Sequence, residues 1–298
     1  MAQRVDEIVV RDGVITGPLR QSVNQAQQVD GSIHNDAIAT KLGFRGGTVA
    51  GSIHLELFPP VLLEAFGKHW FEHGTLSINF KNPTTDREPV RGLVDAPKTD
   101  GDTQVRAWIE RDDGMLVGEG TASVGDVAEK TALQAIDPNR FEAKAPRILA
   151  GISTGPMPTA RVDMSRKAQD IRRDVITEWL DWYDGSPWGG PIASPATVVH
   201  YLYGHPARVI GQSTEGTGEN AVGLFGAIEM RHVNGPLVLD QTYTVGGEIL
   251  AVGESPKTEY VWFESYAAKP DGTRVAEMRM QLRWMKASSA LYQDADLA

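Results

Sequence analysis

Two long apolar runs stand out along the chain, and each is followed by shorter runs that alternate. The first run, Gly51 to Gly67 (GSIHLELFPPVLLEAFG), is apolar on more than one face, which predicts a buried helix. Pro59 and Pro60 should kink or break it near Phe58. The second, Ser194 to Gly211 (SPATVVHYLYGHPARVIG), opens with serine then proline, an N-cap and first-turn signal, and Pro206 should interrupt it at a similar depth. Strand signals come next in both cases. TLSINFKN, PVRGLVDAP, TQVRAWIERDDG and MLVGEGTASV follow the first helix; AVGLFGAIEMRHV, QTYTVGGEILAVG, TEYVWFESYAAKPDG and TRVAEMRMQLRWM follow the second. From Thr273 to Met285, Val275, Met278, Met280, Leu282 and Trp284 compete for one face with a slip in phase. Asp-Gly pairs separate consecutive runs and read as hairpin turns. Each half is thus predicted to be one long helix followed by an antiparallel meander, an α+β plan in which the sheet covers the helix.

Short patterns recur in the same order. RGGTVAGS (Arg45 to Ser52) is echoed by WGGPIASP (Trp188 to Pro195), 143 residues later by the glycine pairs. DGMLVGE (Asp113 to Glu119) is echoed by DGTRVAE (Asp271 to Glu277) at 158 residues. The order of the two matches points to a tandem duplication. The expected division is a first repeat over 1–128, a linker over 129–160 and a second repeat over 161–290. Val175 to Gly185 reads as a short helix ended by its glycine, and the terminal DADLA as frayed.

Composition narrows the chemistry. The 298 residues carry a formal charge of −10 and no cysteine. The acidity disfavours nucleic acid and anionic membrane as general partners, although a locally basic pocket remains compatible with it. Disulfides, thiolate nucleophiles and Cys-ligated metals are excluded. The N-terminal MAQRVDEIVVRDG has no apolar signal core, and the apolar runs are broken before the length of a membrane span, so a soluble cytoplasmic protein is expected. Phosphate-loop, dinucleotide, zinc-protease and serine-hydrolase motifs do not occur. His69 and His73 share a four-residue spacing around Glu72, which reads as an exposed helix end rather than a metal site.

The densest chemistry lies in VDGSIHNDAIATKLGFRGGTVAGSIH, Val29 to His54. Asp30, Ile33-His34, Gly43-Phe44 and the helix-opening Gly51 resemble the MaoC-like dehydratase and (R)-specific enoyl-CoA hydratase family, in which an acid and an apolar-His pair precede a glycine-headed helix. Asp30 stands four residues before His34 where that family has five, and Gly31-Ser32 replaces its Asn-Pro. The resemblance implies a double hot dog fold, hydration or dehydration of an α,β-unsaturated carbonyl compound, a CoA thioester or a small free molecule as substrate, and an active first half with the second half shaping the pocket. It implies a monomer or a homodimer of such units.

The residues themselves are consistent with that chemistry. Hydration needs a base for water and an acid for the α carbon, and Asp30 and His34 can share those tasks. Amides at the head of the helix, around Gly51 and Ser52, can hold the developing enolate oxygen. No metal or organic cofactor is required. His54 and Trp188 are further candidates for the substrate-binding wall. The plainer alternatives are a turn at VDGS, with Asp30 or Ser32 capping a helix that starts near His34, and a core role for His54. His200 and His205 read as structural, and Arg45 and Arg87 as possible anion contacts. A thioesterase led by Glu56 is the competing enzyme, by resemblance to hot dog thioesterases. A non-catalytic small-molecule binding protein is the competing non-enzyme.

Overall fold

The computed structural model describes residues 8–29, 31–214 and 221–294. Asp30 therefore lies outside the described residues, as do the terminal residues 295–298 that were expected to fray. Strands β1 (Val9–Arg11), β2 (Val14–Thr16) and β3 (Arg20–Gln21) lead to a short helix α1 (Asp36–Lys41). The first long apolar run then forms α2 (Gly51–His54), a 3-10 turn (Leu55–Leu57) and α3 (Phe58–Phe66). The break falls at Phe58, as the two prolines predict: Pro59 and Pro60 occupy the first turn of α3, where their missing N–H groups would be unpaired in any case. Helix α4 (His69–His73) precedes the meander β4 (Gly74–Phe80), β5 (Pro89–Asp95), β6 (Thr103–Arg111) and β7 (Leu116–Val124).

The second half repeats this plan. It has β8 (Gly155–Met164), α5 (Arg166–Asp170), α6 (Pro195–Thr214), and then β9 (Gly223–His232), β10 (Gln241–Glu254), β11 (Thr258–Ala268) and β12 (Arg274–Met285). Strand β8 begins inside the segment expected to be linker. Pro206 does not interrupt α6, contrary to expectation. It forfeits one helical hydrogen bond, but α6 lies against β8, β10, β11 and β12, and that packing holds the helix across the gap. Val175 to Gly185 is not a helix either. Only Arg173–Val175 and Asp181–Tyr183 form 3-10 turns, because Glu178 is drawn into an ion pair with Arg20 (2.6 Å) while Leu180 turns into the core.

Among the described residues the twelve strands join one sheet, in the order β1-β2-β5-β6-β7-β4-β9-β12-β11-β10-β8, with β3 on β5. The two meanders meet where β4 pairs antiparallel with β9, Ile78 facing Ile228. Both isoleucines are fully buried. The duplication shows in single hydrogen bonds. In the β6–β7 turn the Asp113 carboxylate accepts the Met115 N–H at 3.0 Å; in the β11–β12 turn Asp271 accepts that of Thr273 at 2.9 Å. The glycine after each aspartate has positive φ, which allows the tight reversal. Near the helices, the Val49 N–H donates to Thr84 O at 2.9 Å and the Ala193 N–H to Leu237 O at 2.8 Å. The donors Val49 and Ala193 are 144 residues apart, so the structural match at the helix heads sits one residue off the glycine-pair match. The slip in Thr273 to Met285 is a register shift between Gln281 and Leu282 against β9.

Truncating Ile228 to alanine at the seam should cost roughly 2–5 kcal/mol, read as a lower midpoint in urea unfolding. A loss below about 0.5 kcal/mol would show that the two halves do not depend on this packing.

Candidate active site

The stretch that carries the candidate chemistry is tied down by its own polar residues. Asn35 rather than Ser32 caps α1, accepting from Ala37 N–H at 3.0 Å and Ile38 N–H at 3.3 Å. Asp36 accepts the Gly47 N–H at 2.7 Å, and this bond holds its carboxyl below the usual range. Asn24 donates its side-chain amide to His34 O at 2.7 Å. A Cβ on Gly47 would lie 2.1 Å from that same carbonyl oxygen, so the chain crosses His34 more closely than any other residue type allows.

His34 is partly buried, and its Nδ1 lies 2.6 Å from Thr48 O. A carbonyl only accepts, so Nδ1 carries a proton, and in the neutral ring Nε2 is left with its lone pair. The imidazole lines a cavity of about 300 Å³. Ala50 and Gly51 at the head of α2, Asn79 and Phe80 at the end of β4, and Gly223 to Gly226 and Arg283 from the second half line the same cavity. No side chain caps α2. The Phe80 ring covers Gly51, where a Cβ would lie 2.6 Å from it, so glycine is needed here for the ring as well as for any ligand. Ser52 faces a second cavity of about 200 Å³ that shares His34, Ala50 and Phe225 with the first.

His54 also lines the larger cavity, but both ring nitrogens are engaged. Nε2 meets the Thr84 hydroxyl at 2.8 Å and Nδ1 the Ser22 hydroxyl at 3.4 Å. Burial lowers its pKa to about 4, so it is neutral at pH 7. It braces α2 against the loops that carry Ser22 and Thr84 and has no free nitrogen for substrate. Trp188 lines neither cavity. It packs edge-on to Trp182, with ring centroids 5.0 Å apart, beside Phe71, and so belongs to an aromatic cluster rather than to the tunnel wall expected for it. Arg45 is paired with Glu88 at 2.9 Å, and Arg87 is exposed with Asp86 at 3.9 Å; neither lines the two cavities. His73 donates to Val233 O at 3.0 Å, and among the described residues no group of three His, Cys, Asp or Glu could hold a metal ion.

Glu56 is fully buried and lines neither cavity. Its Oε1 accepts the Ala196 N–H at 2.7 Å, in the first turn of α6. Burial pushes its pKa up to about 8, against the pull of Ser194 and Ala196. That position removes the carboxylate on which the thioesterase alternative depends.

Basic residues not singled out in the sequence gather at the cavity mouth. Lys81, Lys257 and Arg283 line an adjoining groove with Phe44 and Leu224. Lys81 faces Glu119 at 3.5 Å, while Arg283 donates to the neutral Gln281 at 2.7 Å. These residues are far apart in the chain, and only their basic character was visible beforehand.

No protein-family model and no curated protein sequence matches the chain. Solved structures do. A protein from Chloroflexus aurantiacus described as a MaoC domain protein dehydratase matches with a TM-score of 0.59 at 11% identity, over 95% of this chain and 98% of its own. A conserved hypothetical protein from Mycobacterium tuberculosis with a double hotdog fold matches at 0.60 and 11%, over 93% and 97%. The dehydratase domain of PpsC from the same organism, solved in complex with C12:1-CoA, matches at 0.52 and 9%, over 93% and 97%. The chain has the double hot dog fold, and structures that share it include MaoC-like dehydratases. Among the described residues no helix is long and apolar enough to cross a membrane.

The buried Glu56 makes a testable contribution to pH dependence. Its folded pKa of about 8 lies above the ordinary 4.5, so the folded state holds the proton more tightly across that window. Stability should therefore fall as pH rises from about 4.5 to about 8, by up to ~1.4 kcal/mol per unit. Glu56→Gln should flatten this fall and be the more stable protein near pH ~9, measured by thermal unfolding across pH. Parallel pH profiles for the two proteins would contradict the assignment.

Proposed function

We propose that the protein is a hydro-lyase that adds or removes water across the double bond of an α,β-unsaturated thioester carried on coenzyme A. One observation carries the reading: His34 enters the cavity beside the uncapped head of α2 with its Nδ1 held by Thr48 O. That bond selects the tautomer whose Nε2 can take a proton from water, and the resulting imidazolium can return one to the α carbon. Asp30, four residues earlier in the chain, is assigned as its acid-base partner. The thioester oxygen is held by the amides of Gly51 and Ser52, where the helix dipole favours the charge that develops on it.

The carrier follows from the mouth. Lys81, Lys257 and Arg283 form a basic rim on a protein of net charge −10, which suits the phosphates of coenzyme A. The C12:1-CoA bound to the PpsC domain belongs to that protein, and the shared fold makes the same class of ligand the first to test here. The hydro-lyase is favoured over the thioesterase because His34 lines the cavity and Glu56 does not.

His34→Ala and Asp30→Asn should each lower hydration of an enoyl-CoA by roughly 10²–10⁴-fold, with melting temperatures near that of the wild type. The rate is followed as loss of the conjugated-thioester absorbance. A thiol assay run in parallel would reveal hydrolysis, without background from a protein that has no cysteine. Full activity in the double variant would rule out the assignment, and thiol release without hydration would turn it towards a thioesterase.

Lys257→Glu and Arg283→Met should raise KM for the CoA thioester by about tenfold, ~1.4 kcal/mol of binding, with a much smaller change in kcat. The N-acetylcysteamine thioester, which has no phosphates, should not show this loss. An equal effect on both substrates would place the two residues in some role other than holding phosphate.

A further inference from the structure

The second cavity is lined by groups that an alkyl chain does not need. Arg172, His200 and Tyr203 from the second half and His34, Asn24 and Ser52 from the first line it, and among the described residues none of the lining residues is acidic. The Arg172 guanidinium is held by Ala168 O at 2.8 Å and by His200 Nδ1 at 2.8 Å, and no described carboxylate pairs with it. His200 accepts at Nδ1, so its neutral ring carries the remaining proton on Nε2 as a further donor. Desolvation, with Arg172 adding to it, lowers the pKa of the ring, which favours the neutral form although His200 is exposed at the cavity's edge. A half-buried cation with a donor beside it and no counter-ion among the described residues has binding capacity for an anion.

The other half of the molecule shows what this place accommodates. Ser52 and Ala196 are 144 residues apart, as are Glu56 and His200, so the two pairs are equivalent under the duplication. Beside Ala196 the space is filled by the Glu56 carboxylate of the chain itself. Beside Ser52 the equivalent residue is His200, the space is open, and Arg172 flanks it. The two cavities share His34, Ala50 and Phe225 in their linings, and a substrate with its reacting carbons at His34 is taken to run its far end towards Arg172. At about 200 Å³ the space is smaller than the ~300 Å³ or more that usually holds a drug-sized ligand, and it suits a short group.

We infer that this second cavity is a carboxylate subsite, and that the protein takes short acyl thioesters ending in a carboxylate rather than fatty chains. The inference rests on the hydro-lyase reading for the direction in which the acyl group runs. Arg172 and His200 act as specificity residues: they bind the distal acid and take no part in proton transfer.

The test separates binding from turnover by using saturated thioesters, which cannot be hydrated. Succinyl-CoA and butyryl-CoA have equal acyl carbon counts and differ in the terminal acid. Wild-type protein should bind succinyl-CoA at least about tenfold more tightly by calorimetry. The preference should vanish in Arg172→Met and survive in part in Arg172→Lys, and the monomethyl ester of succinyl-CoA should bind like butyryl-CoA. Equal affinities in the wild type, a preference for butyryl-CoA, failure to bind either, or a preference retained by Arg172→Met would each overturn the inference. The wild-type comparison decides the matter even if the methionine variant does not fold. Turnover is measured separately on crotonyl-CoA and fumaryl-CoA. Hydration of neither, with the binding preference intact, would overturn the hydro-lyase reading and leave the carboxylate subsite standing. Hydration of crotonyl-CoA, with no binding preference, would do the reverse.

Discussion

The backbone pairing of β4 with β9 is the constraint on which the rest depends. Two meanders, each curled over a helix, become one sheet along this seam, and the fully buried Ile78 and Ile228 fix its register. A one-residue slip would turn both side chains to the other face. The same pairing brings Gly223 to Gly226 and Arg283 of the second half against the cavity entered by His34 of the first. The candidate site is therefore shared between the halves, although its candidate acid-base residues come from one of them.

Duplication supplied two helix heads, and they have diverged. The head of α6 is closed by the buried carboxyl of Glu56. The head of α2 is open on both sides, to the larger cavity through Gly51 and to the smaller through Ser52. Closure at α6 keeps an ionisable group away from water, and burial raises its pKa accordingly. The α2 head has its polar surroundings from elsewhere, His34 across the cavity and Arg172 with His200 beyond it. The asymmetry leaves one helix head open to two cavities and the other closed by a buried side chain.

Much of the fold was legible because it rests on local patterns. The Asp-Gly turns at Asp113 and Asp271 follow from the positive φ that glycine allows, and the break at Phe58 from two prolines that favour the first turn of a helix. Pro206 and the segment after Val175 were misread for the opposite reason. In both, packing or an ion pair to a distant residue outweighed the local preference. Within the site, His34 and Gly51 were visible as a motif. Trp188 was misplaced because an aromatic residue near a glycine pair has no signature that separates a tunnel wall from an aromatic cluster. Arg172, Lys257 and Arg283 carried no signal, since an isolated basic residue looks the same whether it is paired, solvated or facing a cavity.

The sequence by itself determined the tandem plan, the two helices, the hairpin turns and the candidate histidine. These are set by the period of apolar positions and by glycine and proline, which act over a few residues. Only the tertiary structure decided that Glu56 is shut inside while His34 lines a cavity, that His54 has both nitrogens engaged, and that an arginine with no carboxylate partner among the described residues lines the cavity beyond His34. Burial, ion pairing and cavity shape are properties of residues far apart in the chain, and they exist only once the sheet has brought those residues together.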